Sequence, residues 1–292
     1  AYVIERFVDH IAREIGRDPA DLRSLNFIPP EKMPYATATG RTYDTGEFEG
    51  HMRRAMELAD WAGFPQRLRD SKKAGRLRGI GLATYIEACS GGSPESAEVK
   101  LETDGTVTVR IGTQSTGQGH VTAYAQLVSQ HLDIPLDRVR VLQGDTAEVK
   151  TGGGTGGSRS IPVGGASVNL ASRTLAETVK RLAADALEAG VADLEFAEGS
   201  VRIVGTDKAM SLSDVASLPA ATPDLLTVSD SWRPPEATYP NGTHVCELEV
   251  DPETGETAIL RYTVVDDFGV TLNPLLLQGQ VHGGLVQGIG QA

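Results

Sequence analysis

An α+β fold, with mixed sheets and hairpins and packed helices, is expected from three observations. Strand-turn-strand signals recur, at Asp104-Gly105 and around Asp251-Pro252-Glu253-Thr254-Gly255. Helical periodicity comes in separate blocks, without the regular strand–helix alternation of a doubly wound sheet. The 33 glycines among 292 residues exceed the average of about 7%. They gather in a few loops and show no fixed-period repeat.

Each element follows from its residues. Over 2–15, Val3, Ile4, Phe7, Val8, Ile11 and Ile15 fall at helical spacing. Asp18-Pro19-Ala20-Asp21-Leu22 has a capping residue followed by Pro at the first helical position. Residues 25–48 carry Pro29-Pro30 and Pro34 and read as irregular. A helix from Gly50 to about Ala62 offers Met52, Ala55, Met56, Leu58 and Trp61 to a core. The basic run 66–78, with Arg67, Arg69, Lys72, Lys73, Arg76 and Arg78, reads as a solvated surface.

Arg78–Glu87 reads as a strand, and 97–102 and 106–111 as a hairpin. A helix is expected over 120–132, a strand over 139–142, and a long Ala-rich helix from Ser160 to about Ala189. Short strands and turns are expected over 194–231, a second hairpin over 243–250 and 257–266, and a last helix from Pro274. The organisation expected is a mainly helical segment, 1–75, followed by an α+β region, 76–292.

Composition narrows the function. A net charge of −12 argues against nonspecific nucleic-acid binding. No apolar run reaches the ~18 residues of a membrane span. The two cysteines, Cys89 and Cys246, form neither a zinc spacing nor a disulfide framework, and a cytoplasmic location is the simplest expectation. The chain starts without Met and stops inside an apparent helix, so it reads as an internal piece of a longer polypeptide.

Three loops carry the chemistry. Gly112-Thr113-Gln114-Ser115-Thr116-Gly117-Gln118-Gly119-His120 runs from a strand pattern into a helix pattern. A helix start offers unpaired N–H groups and partial positive charge to an anion, and Gln118 adds an amide that both donates and accepts. The plainer reading is a tight turn with a polar cap, in which His120 caps or supports and binds no metal. Gly152-Gly153-Gly154-Thr155-Gly156-Gly157-Ser158-Arg159-Ser160 is either a linker or an anion nest. Its hydroxyls and its direct entry into the strongest helix favour the nest. It lacks the Lys of a phosphate-binding P-loop and the acidic partner of a dinucleotide fingerprint. In the third, Gln278, Gln280 and Gln287 alternate with Gly279, Gly283, Gly284 and Gly288, a poor isolated helix that implies close packing on a backbone or a ligand. Asp266-Asp267 reads as a turn cap. Glu87 and Cys89, at a strand end leading into Ser90-Gly91-Gly92, are candidate substrate-pocket residues, although Cys89 equally fits a buried small hydrophobe.

In order along the chain, these blocks resemble the molybdenum-binding large subunit of the xanthine dehydrogenase, aldehyde oxidase and carbon monoxide dehydrogenase family. The residues that carry the resemblance are Arg23-Ser24-Leu25-Asn26-Phe27-Ile28, Gly79-Ile80-Gly81, Gly117-Gln118-Gly119-His120, Gly144-Asp145-Thr146 and Gly157-Ser158-Arg159-Ser160. The last block is Asn273-Pro274 with Gly279-Gln280-Val281-His282-Gly283-Gly284 and Gln287-Gly288.

The resemblance implies a fold like the family's molybdopterin-binding domains. It implies a molybdenum cofactor on molybdopterin, as such or as the cytosine dinucleotide. Gly117, Gln118, Gly119, His120, Thr155, Gly156, Gly157, Ser158, Arg159, Ser160 and Gln280 would bind it, with Gln118 beside the molybdenum and no side chain bound to the metal directly. The reaction implied is oxidation of an aldehyde, an N-heterocycle or carbon monoxide with oxygen from water. Electrons would leave through an iron–sulfur subunit and a flavin (FAD) subunit or domains, in an assembly that dimerises. The family's general base, a Glu in Gly-x-Gly-Glu after the Gln280 block, is not found in this sequence, so no catalytic residue is assigned and the isolated chain is expected to be inactive. The alternative is a non-catalytic cofactor-binding or assembly module of the same fold.

Overall fold

The computed structural model describes residues 1–90 and 92–292; Gly91, in the turn after Cys89, lies outside the described residues. In chain order the helices are α1 (Tyr2–Glu14), α2 (Pro19–Ser24), α3 (Phe48–Leu58), α4 (Phe64–Lys73), α5 (His120–Leu132), α6 (Ala166–Leu187), α7 (Leu212–Ala216) and α8 (Pro274–Gln291). The strands are β1 (Tyr35–Ala36), β2 (Thr42–Tyr43), β3 (Leu77–Ile86), β4 (Glu95–Leu101), β5 (Val107–Ile111), β6 (Val139–Leu142), β7 (Leu194–Ala197), β8 (Ser200–Ile203), β9 (Ala209–Ser211), β10 (Thr227–Trp232), β11 (Asn241–Val250) and β12 (Thr257–Asp267). The fold is α+β, as the sequence predicts.

The chain divides into two units, and each is discontinuous. Ala1–Ala88 and Thr238–Val270 form one, Cys89–Ala237 and Thr271–Ala292 the other. This differs from a boundary near residue 75. The reason is strand pairing: β11 inserts between β3 and β12, in the antiparallel order β12-β11-β3. That pairing ties two segments distant in sequence into one sheet, which no local pattern announces.

In the first unit, α3 packs on β11 and β12, and α4 on β3. Ala20, Met52, Ala55, Ala59, Leu82 and Val245 form its core. Asp18 caps α2 by accepting the Ala20 N–H at 2.7 Å. The basic run does not behave uniformly as solvated surface. Arg69, Lys72 and Lys73 are exposed. Arg67 and Arg78 instead hold the Glu247 carboxylate, at 2.8 and 2.7 Å, and Glu247 is only 2% exposed. A buried carboxylate on β11 needs cations, and α4 and β3 supply them. Asp266 accepts from the Tyr85 hydroxyl and Asp267 from the Gly269 N–H, so the acidic pair serves local structure.

The second unit holds a four-stranded sheet of order β10-β4-β5-β6 and a three-stranded sheet of order β7-β8-β9. β4 and β5 form the hairpin around Gly105, where φ is +78°. β5 and β6 are parallel, so β5-α5-β6 is a crossover unit. Its strands and helix are each legible in the sequence; their parallel pairing is not. The core is built from Val99, Leu101, Val107, Val109, Ile111, Tyr124, Val128, Leu132, Val168, Leu175 and Val179, with α6 packed on β4 and β10. The long helix expected from Ser160 starts as a π-helical turn over Ser160–Gly165, with the Gly164 N–H donating to the Arg159 carbonyl. Such turns are frequent at functional sites.

Candidate functional site

The first glycine loop connects β5 to α5 within the crossover unit. A strand-to-helix turn in that setting points helix-terminal N–H groups at whatever lies beyond the strand's carboxyl end. Gly117 and Gly119 take φ of +112° and +82°, and no side chain caps the α5 start. Gln118 is half-buried and folded back, its Oε1 accepting the Thr116 N–H at 2.6 Å. That bond fixes the side chain, while its two amide N–H groups meet no acceptor among the described residues. His120, at the first turn of α5, is buried with its Nδ1 3.3 Å from the Gln143 amide, and its Nε2 has no partner among the described residues. Burial lowers its pKa, so the imidazole is neutral near pH 7.

The second glycine loop lies directly against the first. At Gly112 and Gly152 the two backbones cross so closely that a Cβ on either would overlap the other's Cα. The Thr155 hydroxyl donates to the Gln114 carbonyl at 2.6 Å. Tyr124 joins the loops from below, its hydroxyl 2.6 Å from Thr113 Oγ1 and 3.0 Å from the Ser160 carbonyl. Burial pushes that phenol up to about 12, so it stays protonated and can serve both contacts.

The loop has an inner and an outer half. Gly152 and Gly153 are glycines because backbone and the Arg159 guanidinium leave no room for a Cβ. Gly154 and Gly156 face open space. Gly154, Gly157 and Ser158 have φ of +70°, +60° and +53°, and the backbone N–H groups of Gly154 through Ser158 donate to no acceptor among the described residues. Successive unengaged N–H groups with left-handed residues among them form an anion-binding concavity.

Not every predicted residue sits in it. Arg159 turns inward, 4% exposed, with its guanidinium on Glu95 and the Gly154, Ser93 and Pro94 carbonyls. Gln280 is exposed on α8 and its side chain makes no hydrogen bond among the described residues. It lies one turn beyond Leu276, which packs at Gly119 so tightly that a Cβ there would come within 2.6 Å of Leu276 Cδ2. The close packing expected of the α8 glycines is not supplied by the described residues: a Cβ on Gly279, Gly283, Gly284, Gly288 or Gly290 meets nothing within 4 Å. Glu87 is exposed at the end of β3 in the first unit, whereas Cys89 is buried in the second. Sequence reasoning missed Glu95, Tyr124 and Gln143, and gave Thr113 no role of its own within the first loop. For Glu95 a signal existed: a carboxylate in phase with Ala97, Val99 and Leu101 on a strand's buried face.

No group of three or more His, Cys, Asp or Glu side chains that could hold a metal exists among the described residues. What the two loops offer is donors: backbone N–H groups, hydroxyls, an amide. That set suits a polar anionic ligand.

Residues 54–292 match the family model of the molybdopterin cofactor-binding domain. The chain belongs to this family. As a molybdopterin cofactor-binding domain it is similar over its whole length to the carbon monoxide dehydrogenase large chain of Hydrogenophaga pseudoflava, at 34% identity, covering 39% of that relative. It is 30% identical to the nicotine 6-hydroxylase large subunit of Paenarthrobacter nicotinovorans, over 98% of the chain and 37% of the relative. Among solved structures, the carbon monoxide dehydrogenase from Oligotropha carboxidovorans superposes with a TM-score of 0.85 at 34% identity, over 97% of this chain and 38% of that one. Quinoline 2-oxidoreductase from Pseudomonas putida 86 gives 0.85 at 29% identity, over 98% and 39%. The chain thus spans about two fifths of the length of the relatives it matches. The donor-rich loops fit the cofactor of the family: the Gln118 amide hydrogens, the Gly154–Ser158 N–H groups and His120 Nε2 meet no acceptor among the described residues.

Proposed function

We propose that this chain is the cofactor-holding part of a molybdenum hydroxylase large subunit. The observation that carries the reading is the crossing of the two glycine loops at Gly112 and Gly152, which gathers two sets of unspent donors at one place. In this reading the Gly154–Ser158 N–H groups, Thr155's among them, and the Ser158 and Ser160 hydroxyls hold the anionic parts of the cofactor, molybdopterin itself or its cytosine dinucleotide, while the Thr155 hydroxyl stays on the Gln114 carbonyl. Gln118 donates its amide hydrogens beside the metal, held in place by the bond from Thr116. Gln280 reaches the pterin from α8, and Gly117, Gly119 and Gly156 let ligand and backbone approach without a Cβ between them. Glu87 and Cys89 remain proposed contributors to a substrate pocket.

The bound cofactor supplies two-electron redox chemistry. The overall reaction balances as substrate C–H plus water giving C–OH, two protons and two electrons, or carbon monoxide plus water giving carbon dioxide, two protons and two electrons. The electrons pass to iron–sulfur and flavin partners in a cytoplasmic assembly. Because Gln118, the loop hydroxyls and the neutral His120 are uncharged, they hold and orient anionic groups without neutralising a developing charge outright.

The test is metal and pterin analysis of the native protein purified from its host. Molybdenum and an oxidised pterin in near-equal amounts are expected, with cytidine monophosphate released on hydrolysis if the dinucleotide is present. Turnover is then assayed with carbon monoxide, N-heterocycles and aldehydes. Protein free of molybdenum and pterin after molybdate-replete growth refutes the reading. Full loading without turnover on any of these substrates replaces it with the non-catalytic module.

A further inference from the structure

β4 carries an anomaly. Its inward residues Ala97, Val99 and Leu101 are core, yet the first position in the same phase is Glu95, with a side chain 0% exposed. A buried carboxylate is costly unless it is paired and fully hydrogen-bonded. Glu95 is. Its Oε2 accepts from Arg159 Nη1 at 2.6 Å and from the Gly153 N–H at 3.0 Å. Its Oε1 accepts the Ser96 N–H at 3.3 Å and lies where a Cβ on Gly112 would come within 2.9 Å.

Arg159 answers from the end of the second loop. Nη1 donates to Glu95 and to the Gly154 carbonyl at 2.9 Å, and Nη2 to the Ser93 and Pro94 carbonyls at 3.2 and 2.8 Å. The guanidinium passes so close over Gly153 that only glycine fits there. The strand end is itself fixed: the Ser167 and Ser231 hydroxyls both donate to the Glu95 carbonyl, at 2.8 and 3.0 Å.

We infer that Glu95 and Arg159 are positioning residues: their buried pair sets the inner half of the 152–160 loop against the Gly112 loop, so that the Gly154–Ser158 N–H groups converge on the ligand. This assigns Arg159 a role beneath the loop instead of one on its ligand face. The inference rests on the reading of these loops as the cofactor cradle.

Geometry explains why an ion pair is used where an apolar one would fill the space. A planar fork with several donors fixes a carboxylate and three carbonyls at once, which a methylene stem cannot do. Arg159 therefore imposes a shape on loop residues that have little side chain of their own to pack. Without it, three glycines in succession leave the loop free to sample many backbone states.

The experiment uses the native protein from its own host, as Arg159→Lys and as the double variant Glu95→Met/Arg159→Met. The double variant removes both charges together, so no uncompensated ion is left inside and the core can fold. Two quantities are read: the rate of cleavage within residues 152–158 by a broad-specificity protease in protein prepared without molybdenum, and molybdenum content after molybdate-replete growth. In both variants the loop is expected to be cut about tenfold faster or more while the α6 and β4 amides keep parental hydrogen-exchange protection. Molybdenum content is expected to fall several-fold. Parental loop cleavage in the folded double variant overturns the inference. A loosened loop with full molybdenum loading upholds the anchor and refutes the cradle reading on which it was built. Lysine restoring both parental cleavage and loading also overturns it, since an ammonium cannot reproduce the fork.

Discussion

Replacing Gly112 by alanine tests the crossing of the two loops most directly. The backbone at Gly112 has no left-handed φ, so alanine meets no conformational penalty and the effect is steric. Its Cβ would overlap the Gly152 Cα and lie 2.9 Å from Glu95 Oε1 and 3.0 Å from the Thr151 carbonyl oxygen. None of these can swing away: two are backbone and the third is pinned by Arg159. Forcing one methyl into such a contact costs about 1–3 kcal/mol or more. For a unit of this size, about 2–4 °C per kcal/mol gives a fall of about 2–12 °C in melting temperature.

Gly156→Ala is the matched control. Its φ is also ordinary, and its Cβ meets nothing within 4 Å. It should leave stability unchanged or raise it by about 0.4–1 kcal/mol through the unfolded chain. If the outer half of the loop faces the cofactor, however, the added methyl intrudes on ligand space. Calorimetry and molybdenum analysis of the two variants therefore separate. Gly112→Ala loses both stability and metal; Gly156→Ala keeps stability and loses metal. A Gly112→Ala protein melting within about 1 °C of the parent, below the smallest cost expected for overpacking, would show that the backbones do not cross as described.

Two further outcomes concern charge. Glu247→Gln removes the buried anion shared by Arg67 and Arg78, while Arg67 keeps Asp60 and Arg78 keeps Glu249, so a loss of about 1.5–3 kcal/mol, that of hydrogen bonds to a charged group, is expected from denaturant titration; a loss below about 1 kcal/mol would place the cluster among ordinary surface pairs. The Glu247 carboxyl is held below its ordinary 4.5, first by the hydrogen bond from Arg67, and the His120 imidazole is held below 6.5 by burial. Both folded-state values are depressed, so in each case the unfolded chain binds more protons as acid is added, and the stability present above the unfolded value is lost as pH falls. Melting temperature should therefore decline first below about pH 6.5, a decline that His120→Gln shallows, and again below about pH 4.5, where Glu247→Gln flattens the curve; a His120→Gln curve parallel to the parent's between pH 6.5 and 5 would count against the buried neutral imidazole.

The sequence by itself determined the α+β class, most helices and both hairpins, because caps, turn glycines and apolar periodicity act within a few residues. Asp18-Pro19 starting α2, Gly105 turning the β4–β5 hairpin and Asn273-Pro274 opening α8 are such local instructions, and each forms as written. It also marked the two glycine loops as the chemical part of the chain. Only the tertiary structure decided that they form one place, since Gly112 and Gly152 are brought together by the parallel pairing of β5 with β6 and by the buried Glu95–Arg159 pair, both of which join residues distant in sequence. The structure likewise decided that Arg159 turns inward and that Arg67 and Arg78 leave the solvated face. An arginine's direction depends on where a buried carboxylate waits, and Glu95 and Glu247 stand 64 and 180 residues from the arginines Arg159 and Arg67 that neutralise them. Pairings at such distance arise from strand register, which is set by the whole core and not by the residues that come to meet.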